Sequence, residues 1–164
     1  MGAKEMQTID KIKNFIQIDN HLATAGQPSK RELEKLADAG YQVVVNLGLD
    51  DAYYAIENES VWVEQLGMRY IHIPVDFKKP RKEDFVHFLN TMNIEQNKKV
   101  LVHCAENKRV SVFVALYRVI TKKLPQIDGW NSIIDVWEPD IVWESFFYQV
   151  LDSFYKIKDQ SPVL

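Results

Sequence analysis

The stretch that most constrains this chain is Lys99-Val-Leu-Val-His-Cys-Ala-Glu-Asn-Lys-Arg109 together with the residues from there to Arg118. A branched apolar run, Val100 to Val102, stops abruptly at His103-Cys104. A short polar loop comes next, and from Arg109 to Arg118 the apolar positions recur at helical spacing. The pattern predicts strand, loop and helix in succession. Cys104 then sits at the carboxyl end of a buried strand, facing a helix amino terminus whose free N–H groups and positive dipole end attract anions. The same field favours the thiolate, so nucleophilic chemistry at Cys104 is an expectation from the residues alone. It is the single cysteine of the chain, which excludes an intramolecular disulfide and a cysteine-rich metal site.

The rest of the chain supplies a sheet for that strand to enter. Phe15-Ile-Gln-Ile-Asp19 and Leu22 to Ala25 read as short strands, and Pro28-Ser29 opens a helix carrying Leu33, Leu36 and Ala37, closed by Gly40. Tyr41 to Leu47 is a β-branched run followed by the polar turn Gly48-Leu-Asp-Asp51. Ala52 to Leu66 is expected to be helical, with Gly67 as its stop. Arg69 to Val75 predicts a strand, and Phe85, Phe88, Leu89 and Met92 mark the next helix. Leu124-Pro125 ends the helix after Cys104, and helices are expected around Ile127 to Trp137 and Val142 to Ile157. Strands alternating with helices imply an α/β fold: a mostly parallel central sheet of four to five strands flanked by helices on both faces. Ligands collect beyond the carboxyl ends of such strands, where Asp50, Asp76 and Cys104 all fall.

With 164 residues, 46% of them hydrophobic, residues 1–164 are read as one domain. The 20 Lys and Arg against 23 Asp and Glu give a net charge of -3, hence no global attraction to nucleic acid or anionic lipid. Any anion site is local, and the expected ligand is a small anionic or phosphorylated molecule. No apolar run reaches spanning length, and Met1-Gly-Ala-Lys-Glu lacks a signal core, so the expectation is a cytoplasmic protein outside membranes. A leader removed ahead of Met1 would place it in the periplasm instead. Gly2 does not fit the myristoylation pattern, because Met6 stands where Ser or Thr is needed. His21, His72 and His87 lack ligand spacing, so no metal is expected, and nothing points to a nucleotide cofactor.

Val-Leu-Val-His-Cys104, a short loop, Arg109 and Ser111 resemble the signature of the cysteine-dependent protein tyrosine and dual-specificity phosphatases. The wider chain is similar to a bacterial branch of that superfamily, also found fused to a β-lactamase-like hydrolase domain. Gly26-Gln-Pro28, Val45-Asn-Leu47, Ile73-Pro-Val75 and His103 to Arg109 carry the likeness, over roughly residues 14–122. The resemblance implies phosphomonoester hydrolysis through a cysteinyl-phosphate. Cys104 attacks phosphorus. The loop amides of Ala105, Glu106, Asn107, Lys108 and Val110 and the Arg109 guanidinium hold the oxygens. Asp76, after the neighbouring strand, protonates the leaving group. Ser111 donates to the departing sulfur, and His103 orients the loop.

One spacing departs from the family. The signature has five residues between Cys and Arg, and here Cys104 and Arg109 have four between them. If the loop keeps its usual length, Val110 takes the arginine place and Arg109 is turned away by about 100°. If the loop is tighter, Arg109 still points inward and Ser111 lies one residue late. Asn107 stands in place of a glycine and is among the few residues that enter the left-handed region cheaply. Glu106 repels a dianion by about 1 kcal/mol or more at short, partly shielded range, with Lys108 placed to offset it.

The short spacing also resembles rhodanese-type sulfurtransferases, whose cysteine loops are one residue tighter and cradle a persulfide. A third alternative is a pseudophosphatase that binds an anion or protein without turnover. Lys78, Lys79, Arg81 and Lys82 form a basic cluster beyond Asp76. Trp130, Trp137, Trp143, Phe146, Phe147 and Tyr148 read most simply as core of the last helices.

Overall fold

A computed structural model describes residues 9–159. Gly2 and Met6, on which the lipidation argument rests, lie outside the described residues. Among the described residues five strands form one sheet: β1 (Ile16–Gln17), β2 (Leu22–Ala25), β3 (Val43–Asn46), β4 (Arg69–His72) and β5 (Val100–His103). Their spatial order is β1-β2-β5-β3-β4, with β1 antiparallel to β2 and every other pair parallel. β5 lies at the centre, paired with β2 through Val102↔Thr24 and with β3 through Val102↔Val45.

Six helices among the described residues cover the sheet: α1 (Lys30–Asp38), α2 (Glu59–Gln65), α3 (Lys82–Ile94), α4 (Lys108–Thr121), α5 (Gln126–Ile134) and α6 (Ile141–Asp159). Side chains alternate along each strand, so the apolar runs feed two cores. Val43, Val45, Val100 and Val102 pack with Phe85, Phe88, Phe113, Trp143 and Phe147 from α3, α4 and α6. Ala23, Ala25, Val44 and Leu101 pack on the other side with Leu33 and Leu36 of α1 and Val63 of α2. Burial on both faces is why these strands read as continuous apolar runs. Of the C-terminal aromatics expected in the core, Trp143 and Phe147 are fully buried and Phe146 is buried, stacked on Phe113 at 5.7 Å. Trp130 and Trp137 are half-buried against that core. Tyr148 is exposed, contrary to the expectation, because it lies on the outer side of α6.

Local chemistry fixes the ends. Ser29 caps α1 through a reciprocal box: its Oγ accepts from the Glu32 amide at 3.1 Å and Glu32 Oε1 accepts from the Ser29 amide at 2.9 Å. The helix expected over Ala52 to Leu66 is shorter than its periodicity suggests and begins only at Glu59. The segment before it is pinned as a loop by polar bonds to its neighbours, notably from the Leu49 amide to the Tyr54 hydroxyl at 2.8 Å. Asn58, at φ 58°, turns the chain into the helix. No helix among the described residues is long and apolar enough to cross a membrane.

Candidate active site

Cys104 comes directly after the last residue of the central strand and is buried, at 1% exposure. The loop behind it is held from outside. The Ala105 carbonyl accepts from the Gln27 amide at 3.0 Å, and the Glu106 carbonyl accepts from Asn14 Nδ2 at 2.9 Å. With both carbonyls drawn outward, the free first-turn amides of α4 remain beside Cys104. Gly26 permits the approach, since a Cβ there would lie 2.6 Å from the Ala105 carbonyl oxygen.

Asn107 occupies the left-handed region, at φ 69°, as the residue type allows. Its side-chain amide donates to the Asn14 carbonyl at 2.8 Å and to Thr24 Oγ1 at 3.0 Å, clamping the loop to β2 and the segment before it. Its Oδ1 is buried without a hydrogen-bond partner among the described residues.

Arg109 takes the inward of the two registers open to it. It is 5% exposed, and with Cys104, Phe77, Ala105, Glu106 and Lys108 it lines a cavity of about 160 Å³. Its Nη1 donates to the Val75 carbonyl at 2.9 Å and its Nη2 to the Tyr54 hydroxyl at 3.0 Å, with the guanidinium over the Tyr54 and Phe77 rings at 5.8 and 5.9 Å. No carboxylate pairs with it among the described residues. A buried cation held only by neutral acceptors leaves its charge for an incoming anion.

Ser111 is placed elsewhere. Its hydroxyl donates to the Lys108 carbonyl and accepts from Trp137 Nε1, at 2.5 and 3.0 Å. It lines a different cavity, with Ile16, Gln17 and Arg118. The expected donation to the Cys104 sulfur is therefore not made, because the tighter loop carries Ser111 past the sulfur and its proton goes to the helix backbone. Val110 is fully buried in the apolar core. Asp76 is exposed, and its Oδ1 accepts from the Lys78 amide at 2.9 Å as a turn cap. It is the next residue after Val75, whose carbonyl anchors Arg109.

Glu106 lines the cavity and stands between two lysines, Lys13 and Lys108, each at 3.4 Å. Lys108 foremost, then Lys13, holds its carboxyl below the ordinary value. Their charge offsets the repulsion that Glu106 offers an anion.

Behind the nucleophile lies a part that periodicity could not show. His103 is fully buried, with Nε2 2.6 Å from Glu59 Oε2 and Nδ1 3.3 Å from the Cys104 carbonyl. Glu59 opens α2 and is itself buried, and its other oxygen accepts from Gln27 Nε2 at 2.7 Å. Burial pushes the Glu59 carboxyl up, but the charge and hydrogen bond of His103, the Gln27 hydrogen bond and the charge of His72 outweigh it and hold it below its ordinary value. Neither spacing nor periodicity points to Glu59, Gln27 or Tyr54. Gln27 sits within the Gly26-Gln-Pro28 motif that carries part of the family likeness, which is the one signal the sequence offers for it.

The family model described as DSP-PTPase phosphatase fused to NAD+ kinase matches residues 4–133. The chain belongs to this phosphatase family. Among solved structures it is similar to a DUF442 phosphatase candidate from Shewanella putrefaciens CN-32, at 30% identity and a TM-score of 0.82, covering 90% of this chain and 97% of that one. Tk-PTP in its active form shares the fold at 24% identity and a TM-score of 0.67, covering 85% and 94%. The Beta-lactamase hydrolase-like protein of Xylella fastidiosa strain Temecula1 is 27% identical over 113 residues, 67% of this chain. The chain spans only 26% of that relative's length. A five-stranded, mostly parallel sheet with six helices is the architecture expected of a phosphatase of this family.

Proposed function

We propose that this domain hydrolyses phosphomonoesters through a cysteinyl-phosphate on Cys104. The observation that carries the reading is the buried Arg109 guanidinium, which shares a cavity of about 160 Å³ with Cys104 and has no carboxylate partner among the described residues. Cys104 Sγ attacks phosphorus, the bond to the ester oxygen breaks, and water later releases phosphate from sulfur. Arg109 and the first-turn amides of α4 hold the non-bridging oxygens as charge develops on them.

Asp76 is the proposed acid for the leaving oxygen. It lies one residue beyond the Arg109 anchor and one before Phe77 of the cavity wall, on a solvent-exposed turn where its carboxyl caps the Lys78 amide. The reaction is proposed for the cytoplasm and for a small phosphorylated substrate, with residues 1–164 acting as one unit.

The four-residue spacing between Cys104 and Arg109 favours one rival, persulfide chemistry at the same sulfur. Purified protein assayed with p-nitrophenyl phosphate beside Cys104→Ser and Arg109→Ala decides between them. Release that both substitutions abolish supports the phosphatase reading. Equal traces from all three proteins, or thiosulfate:cyanide transfer that leaves an added sulfur on Cys104 by mass spectrometry, overturn it. Asp76→Asn is expected to slow an alkyl phosphate by about 100-fold and p-nitrophenyl phosphate much less, because nitrophenoxide leaves without a proton. An equal loss on both esters removes Asp76 from the acid role.

A further inference from the structure

Asp76 stands in the middle of three successive residues whose carbonyls all have donors. Val75 accepts from Arg109 Nη1 at 2.9 Å, Asp76 from the Lys79 amide at 3.2 Å, and Phe77 from Trp143 Nε1 at 2.8 Å. The Val75 amide donates to the Leu47 carbonyl at 3.1 Å, and the Asp76 carboxyl caps the Lys78 amide at 2.9 Å. Pro74 and Pro80 bracket the stretch, each with its φ set by its ring. An exposed turn is ordinarily free to move, whereas this one is tied on both sides of its acid.

The two side-chain ties differ in kind. Arg109 belongs to the cavity and faces whatever anion enters it. Trp143 belongs to the core. It is fully buried in the first turn of α6, where its amide donates to Asp140 Oδ1 at 3.0 Å. Its ring lies 5.5 Å from that of Phe146, 6.2 Å from Phe113 and 5.9 Å from Phe77. Trp137 packs on Phe77 as well, at 5.7 Å, but its N–H goes to Ser111 and not to the turn. A buried indole N–H requires an acceptor, and the Phe77 carbonyl is the one it has. Swinging the turn outward would strand that donor in the core, which opposes the motion.

We propose that Trp143 is a positioning residue for the proton donor: its indole N–H, with Arg109 on the other side of Asp76, holds the acid turn formed before substrate arrives. The inference rests on the acid role proposed for Asp76. It gives α6, read from the sequence as core alone, a part in the chemistry.

Trp143→Phe keeps an aromatic ring in the core and removes the donor. Hydrogen exchange followed by NMR reads the turn without turnover. In the wild type the Trp143 indole N–H is expected to exchange slowly; in the variant the Lys79 amide, bonded within the turn, is expected to exchange about tenfold faster while the β5 amides keep their rates. Rapid exchange of the wild-type indole, or an unchanged Lys79 rate in the folded variant, overturns the proposal. Should Trp143→Phe not fold, replacing Trp143 by its benzothienyl analogue keeps the ring shape and removes only the N–H.

kcat/KM, which reports the steps up to leaving-group departure, supplies the second readout. The variant is expected to lose about tenfold on an alkyl phosphate, part of the roughly 100-fold or more that a positioned acid contributes, and to stay within about twofold on p-nitrophenyl phosphate. Added to Asp76→Asn, the same substitution should change neither ester, because no acid remains to be aimed. A tryptophan that serves the core alone would lower both esters alike and in both backgrounds, and that result overturns the proposal. An equal loss on both esters from Asp76→Asn by itself removes the acid, and this inference with it, while leaving the cysteinyl-phosphate reading in place. A wild type that turns over neither ester overturns the proposed function, whereas the exchange rates still judge whether Trp143 holds the turn.

Discussion

Two basic side chains lie close to Cys104 along the chain, and they are satisfied in opposite ways. In front, Arg109 is buried at the cavity with a backbone carbonyl and a tyrosine hydroxyl as its partners. Behind, His103 is buried against the carboxylate of Glu59. The first arrangement leaves a charge without a counter-ion among the described residues, and the second sets a ring nitrogen against a carboxylate. A fold tolerates the first only where a ligand or solvent completes it, and the second costs little once its hydrogen bonds are made. The contrast separates the face that binds from the face that supports.

The comparison breaks most directly at Arg109. Arg109→Ala is expected to lower kcat/KM on a phosphomonoester by about 100- to 1000-fold while leaving the urea midpoint unchanged or raised, because a lone buried charge is removed. Arg109→Lys should recover little, since an ammonium cannot reproduce the two-pronged grip. A large fall in stability with either substitution would make Arg109 a structural residue and erase the difference between the two faces.

The opposite signature is expected at Glu59. Glu59→Ala strips the partner from a buried ring and leaves the Gln27 amide without its acceptor, at a cost of about 3–5 kcal/mol in denaturant unfolding. If Glu59→Ala unfolds at the wild-type midpoint, the pair behind Cys104 has no supporting role.

Tyr54 sharpens the comparison at smaller scale. Its hydroxyl takes both the Arg109 guanidinium and the Leu49 amide, so one atom ties the arginine to the β3–α2 loop. Tyr54→Phe is expected to cost about 1 kcal/mol in stability and to raise KM several-fold with little change in kcat, as the guanidinium loses its aim but not its charge. Steady-state kinetics that show the whole loss in kcat would place Tyr54 nearer the chemistry than its geometry indicates.

The front of the site was largely legible in the sequence and the back was not, for a physical reason. Cys104, Arg109 and Asn107 sit on one local strand–loop–helix unit, where spacing alone restricts geometry; the tight loop with Arg109 inward was one of two registers that spacing allowed. Glu59 reaches His103 across 44 residues, and Gln27 reaches Glu59 across 32, contacts that only the assembled sheet creates. The strands from Leu22, Val43 and Val100 were visible because burial on both faces makes them continuous apolar runs. The segment before Glu59 misled because Ile56, Val63 and Leu66 fit a helical period, while Asn58 and the tyrosine contacts that stop the helix carry no periodic signal. Ser111 misled differently: its family place depends on loop length, and one residue fewer turns its hydroxyl to Lys108 and Trp137.

Acid provides the finest comparison, between two carboxylates that are both held below their ordinary value but differ in burial. Glu59 is buried, and its depression survives the opposing effect of burial through His103, Gln27 and His72. Glu106 is only partly covered, and its depression comes from Lys108 and Lys13 across solvent. A carboxyl that titrates lower in the folded than in the unfolded chain makes the unfolded state the greater proton binder in the acid range. Its contribution is therefore complete above the unfolded value and is lost as pH falls through the folded one. For Glu59 that contribution is screened little, so Glu59→Gln should flatten the acid limb of a stability-against-pH curve measured by urea unfolding. For Glu106 solvent screening leaves no more than about 0.5 kcal/mol, and Glu106→Gln should track the wild-type curve. An acid limb flattened by Glu106→Gln and untouched by Glu59→Gln would mean that the solvent-facing pair, not the sealed one, couples folding to protons, and the division between the two faces of Cys104 would have to be redrawn.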